Sequence, residues 1–150
     1  MATSDHIRSL RLLCDRYELE DRKRLDSYSD ARLAGDVYNG AGPDSWIPLA
    51  RDVLTAFMNL FEPAVLIHDL QFYESDALHE TFCVTAKIWE RNTRKIYDAE
   101  FPLWTWRMFS ADYRRKRVYW YGVMIAANKA IAGDSAYRAW VAAHNGRIDV

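Results

Sequence analysis

Apolar residues recur three and four places apart along most of the chain, which is the spacing of one face of a helix. Ile7, Leu10, Leu13, Cys14 and Tyr17 set the first such face, with Ser4 or Asp5 standing where a helix cap belongs. Glu18 to Arg24 is dense in both charges, and Leu25, Tyr28 and Leu33 then carry a weaker rhythm towards Gly35, predicting a second short helix. Tyr38-Asn-Gly-Ala-Gly-Pro-Asp-Ser45 is the clearest turn cluster, because Asn-Gly admits positive backbone angles and Gly-Pro breaks regular structure.

Leu49 to Phe61 has few charges and places Val53, Phe57, Leu60 and Phe61 at helical spacing, so a buried helix is expected there. Pro63 suits the first turn of a separate helix over Ala64 to Tyr73, since a first-turn residue has no helical partner for its N–H. Ser75 or Asp76 is placed to cap the next helix, whose face is Leu78, Phe82, Thr85, Ala86 and Trp89 and which runs into Arg91 to Lys95. Phe101 to Phe109 is too broken for a regular element and is left irregular, although Leu103, Thr105 and Arg107 alternating with Trp104, Trp106 and Met108 could make a short strand. Arg114 to Ala132 resumes a helical pattern through Val118, Tyr121, Ile125 and Ala126, and Ser135 to Ala143 predicts a last helix. The expected fold is therefore all-α, one multi-helix domain over residues 1–150 with an irregular glycine-containing loop before the His68 helix. That helix should pack antiparallel to the Leu78–Trp89 helix across the short turn at Glu74-Ser75.

Length and composition fit this reading: 150 residues suit a single core, and six Trp, nine Tyr and six Phe can fill it. A formal charge of -1 provides no global field to gather nucleic acid, which is not expected as a partner. Two cysteines, Cys14 and Cys83, are too few for a disulfide framework and are expected in the core. The opening residues show no leader pattern, charges interrupt every apolar run short of the roughly 20 residues a bilayer requires, and a cytoplasmic location is expected.

The most informative sequence is the Asn39-Gly40-Ala41-Gly42-Pro43 loop followed by a helix that carries His68 and Asp69 among apolar residues. Neighbours on a helix point about 100° apart, so the pair can address two parts of one cavity. Neutral His68 could then deprotonate a water aimed at a carbonyl, with Asp69 and loop oxygens holding a cation at the developing oxyanion. Calcium suits oxygen ligands of this kind.

The helix Ala64-Val-Leu-Ile-His68-Asp69-Leu-Gln-Phe-Tyr73 resembles the phospholipase A2 superfamily, in particular its compact bacterial and phage-encoded members. The resemblance implies a calcium-assisted esterase acting on a lipid ester. It puts His68 at the general base, Asp69 at the metal, and Asn39, Gly40 and Gly42 in the loop that completes the metal site. Val65 stands where the family has a half-cystine, and Phe72 where it has a tyrosine. The family also orients its histidine with a carboxylate in Asp-x-x-Phe. At that spacing before Phe82 stands His79, with Asp76 and Glu80 as nearby carboxylates, so His79 and Glu80 join His68 as candidate catalytic residues.

Other readings stay open. A histidine hydrogen-bonded inside a bundle and an aspartate paired with an arginine need no chemistry. The same scaffold would then be a non-enzymatic phage-type or bacterial accessory protein acting through a protein partner. Arg114-Arg-Lys-Arg117, with Trp104, Trp106 and Trp120 near it, is either a solvated helical turn above core aromatics or a binding patch. Such a patch would suit anionic lipid if Trp104 or Trp106 is exposed.

Overall fold

The computed structural model describes residues 2–38, 48–76 and 78–145, apart from the side chains of 48–58, 143 and 145. The described residues form an all-α bundle with no strand. Helix α1 (Ser4–Arg16) is capped by Thr3, whose hydroxyl accepts from the His6 N–H, rather than by Ser4 or Asp5, which already lie inside the helix. Its buried face is Ile7, Leu10 and Cys14. Glu18, at φ 50°, turns the chain out of the helix, and a 3-10 helix (Arg22–Ser27) follows. A single turn, α2 (Asp30–Arg32), runs into a π-helical turn (Leu33–Val37). Arg11 draws this segment onto α1 through Asp30 at 2.8 Å and the carbonyls of Leu25 and Tyr28.

Two helices were expected between Pro48 and Tyr73, and one is found: α3 (Pro48–Glu74) continues unbroken past Pro63. Proline removes one helical hydrogen bond, and the carbonyl deprived of it belongs to Asn59, which is exposed and can be met by water. Burial on several sides compensates, since Phe61, Ala64, Val65, Leu66, Ile67 and Leu70 all lie in the core. Accordingly α3 packs against α1, α4 and α5.

Helix α4 (His79–Glu100) folds back along α3 after the short connection at 75–78, in the expected pairing. Neither Ser75 nor Asp76 is its cap; Leu78 holds that position, and its N–H is taken by the Asp76 carboxylate at 3.1 Å. Phe101 to Phe109 is irregular as expected, apart from a 3-10 turn (Trp106–Phe109). Helix α5 (Ala111–Ile131) forms where expected but presents another face. Met124 and Ala127 are buried and Trp120, Val123 and Ile131 pack on the core, whereas Val118, Tyr121 and Ile125 face solvent. Apolar residues on both sides of α5 leave its own pattern unable to select the inner face. Helix α6 (Asp134–Asn145) docks through Trp140, which contacts Phe72 and Phe82 and donates to the Asp76 carbonyl at 3.0 Å. His144 adds a pin between Ser75 Oγ at 3.0 Å and the Trp140 carbonyl at 2.7 Å.

Candidate functional site on helix 3

His68 and Asp69 sit near the C-terminal end of α3 with side chains only 16% and 13% exposed. His68 Nδ1 lies 3.8 Å from Asp69 Oδ1, beyond hydrogen-bond reach. The imidazole also meets Trp89 of α4 edge-on, ring centroids 5.2 Å apart. Among the described residues, the side chain that α4 sets against His68 is thus an indole rather than a carboxylate.

A polar cluster lies earlier on α3, on the N-terminal side of His68. Glu62 Oε1 accepts from the Tyr38 hydroxyl at 2.7 Å and pairs with His6 Nε2 at 2.7 Å, joining α1, the end of the π-helical turn and α3. Burial, then the hydrogen bond and charge of Glu62, then the charge of Asp69, push the Tyr38 phenol far above its usual range. Glu62 and Asp69 are seven residues apart, which puts them on one side of the helix. That spacing was a signal for Glu62 in the sequence, although nothing there pointed to Tyr38 or His6 as its partners.

The remaining candidates lie apart. His79 and Glu80 occupy the exposed first turn of α4, about 15 Å of helix rise from the Trp89 that touches His68. His79 stacks edge-on with Tyr137 at 4.7 Å and approaches Cys83 Sγ at 3.7 Å. Cys83 is consequently partly exposed beside a histidine one turn away, not in the core, while Cys14 is fully buried. Hydrogen bonds from Thr81 and Leu78 hold the Asp76 carboxyl below its usual range, so Asp76 serves the α3–α4 connection. Asn39, Gly40 and Gly42 lie outside the described residues. Among the described residues no three His, Cys, Asp or Glu side chains gather as metal donors. Of the candidate calcium ligands, Asp69 is the one that falls among the described residues.

A second feature stands at the α4–α5 connection. Trp104 is 98%, Phe109 89% and Trp106 78% exposed, and Leu103 is more than half exposed. No helix among the described residues is long and apolar enough to cross a membrane. No family model, curated protein or solved structure matches the chain.

Proposed function

We propose that this protein works by contact, as a helical accessory protein, and not by ester hydrolysis. The observation that supports this reading is Trp89 against His68: the imidazole meets an aromatic edge on α4, and the Asp69 carboxylate oxygen stands 3.8 Å from its Nδ1. A histidine base needs its second nitrogen oriented by an acceptor for the first to face a water productively. Four large apolar side chains held in solvent at 103–109 supply a contact surface instead.

The competing reading keeps His68 as base and Asp69 with Asn39, Gly40 and Gly42 as a calcium site in a phospholipase A2-like esterase. Calcium titration calorimetry on the native protein and on Asp69→Asn, paired with phospholipid turnover by native protein and His68→Ala, separates the two. The contact reading expects no calcium-dependent turnover. Phospholipid cleavage that needs calcium and disappears in His68→Ala, with circular dichroism unchanged, would sink it.

A further inference from the structure

The α4–α5 connection is built to hold its apolar side chains out in water. Its backbone is tied down by side chains of α5: Tyr113 donates to the Pro102 carbonyl at 3.0 Å, Arg117 to Phe101 at 3.1 Å and Arg114 to Met108 at 2.7 Å. Phe101 packs on Tyr97 at 5.5 Å and on Tyr113 at 6.0 Å, while Thr105 receives the Arg107 N–H at 3.4 Å. The base of the loop is therefore packed and its carbonyls are bonded, yet Leu103, Trp104, Trp106 and Phe109 remain exposed. A loop tied down in this way presents its tips with less backbone ordering left to lose on binding.

Charge identifies what the tips meet. Residues 101–121 carry Arg107, Arg114, Arg115, Lys116 and Arg117 against one carboxylate, Asp112, in a chain whose total charge is -1. The rest of the protein is correspondingly acidic, so the positive field is local to this end. Arg107, Arg114 and Arg115 are exposed, and Asp112 pairs with Lys116 at 2.9 Å. An occupant must be anionic where it meets these cations and apolar where it receives Leu103 and Phe109. Indoles favour the boundary between such zones, with headgroups on one side and acyl chains on the other.

We propose that Leu103, Trp104, Trp106 and Phe109, together with the exposed Arg107 of the same loop and Arg114 and Arg115 at the start of α5, form a docking site for an anionic lipid surface. This rests on the contact reading of function and names its partner. The loop lies in the headgroup region, its aromatic tips enter the acyl boundary, and the arginines face lipid phosphates. Neither α5 nor any other described helix crosses the bilayer.

The test is co-sedimentation of the full chain with phosphatidylcholine vesicles, with and without phosphatidylglycerol. Native protein should bind the anionic vesicles. Partitioning should fall by roughly tenfold or more in Trp104→Ser/Trp106→Ser, and by a comparable factor in Arg107→Glu/Arg115→Glu, given about 1 kcal/mol for each basic residue at an anionic surface. These side chains are exposed, so both variants should keep the native circular dichroism. Brominated acyl chains should quench the tryptophan fluorescence of native protein and quench the double-Trp variant much less. Equal binding by native and variants, no binding to anionic vesicles, or displacement of vesicles by a single-stranded oligonucleotide would each overturn the proposal. So would a concentration-dependent dimer that consumes the exposed tryptophans. Phospholipid turnover with calcium tests the contact reading separately: vesicle docking with turnover removes that reading and leaves the surface, whereas neither removes the surface alone.

Discussion

Trp89 on α4 meets the His68 ring of α3 edge-on, with centroids 5.2 Å apart and planes inclined at 73°. The indole is 2% exposed, so it fills the space between the two helices that pack most extensively. Trp89→Ala should therefore destabilise the fold by about 3–5 kcal/mol, the range for truncating a large buried aromatic. Trp89→Phe, which keeps an edge against His68, should lose less than half as much. Urea unfolding checks both; equal losses would show that filled volume beside His68 is unimportant.

Asn92 grips the backbone of a residue far away in sequence: its Oδ1 accepts from the Glu20 N–H at 2.7 Å and its Nδ2 donates to the Glu20 carbonyl at 3.2 Å. Glu18 and Asp21 on either side have positive φ, so the amide holds a turn that strains its own backbone. Asn92→Asp replaces a donor with an oxygen facing a carbonyl and should be worse than its near-identical shape suggests, by about 1–3 kcal/mol for the stranded groups. Glu18→Gly should gain up to about 1 kcal/mol by relieving the left-handed strain. Thermal melts of the two single variants should shift in opposite directions, and shifts of the same sign would contradict this account.

The two thiols should react very differently. Burial pushes Cys14 up to about 12, and its Sγ points at the Pro63 carbonyl at 3.3 Å, whereas Cys83 is partly exposed on α4. At pH 8, iodoacetamide should label Cys83 readily and Cys14 only after denaturation. Tyr17, donating to Glu100 at 2.6 Å, is likewise raised to about 12 by burial and then by that hydrogen bond. Both groups are neutral in the fold, and both have folded values above their unfolded ones. Their stabilising contributions are thus complete below about pH 9 and pH 10 respectively and are lost as pH rises towards 12. Denaturant midpoints should hold steady to pH 9 and then decline; a fall confined to pH 5–8 would contradict the assignment.

The sequence revealed elements better than faces. Ile7, Leu10 and Cys14 mark the inner side of α1 unambiguously because charges occupy the other side. On α5 that contrast is missing: Val118, Tyr121 and Ile125 are as apolar as Trp120, Met124 and Ala127, and only packing against α3 and α4 decides which set is buried. Pro63 read as a helix start because propensity weighs one residue at a time, while the burial that carries α3 through it is collective. His68 and Asp69 stood out as polar residues in apolar sequence, but the partner that gives His68 its character comes from a different helix. Cys83, expected in the core, is partly exposed, and the histidine one turn away from it, His79, is its neighbour on the same helix.

Glu62 offers the sharpest test of how the α3 polar cluster is held. One carboxylate oxygen serves both Tyr38 and His6 at 2.7 Å, so removing it strands a half-buried hydroxyl and frees the start of α1. Glu62→Ala should cost about 1–3 kcal/mol, the penalty for leaving a partly buried polar group without its partner. Glu62→Gln keeps an acceptor in place and should cost less, because only the charged character of the bonds is lost. A spectroscopic readout accompanies the stability change. Two of the influences that raise the Tyr38 phenol come from Glu62, after burial, which both variants leave in place. Its titration, followed as tyrosinate absorbance and assigned by comparison with Tyr38→Phe, should move down towards 10 in Glu62→Gln while staying above it. An unshifted tyrosine titration, together with unchanged stability in Glu62→Ala, would mean that His6, Tyr38 and Glu62 do not act as a unit in solution.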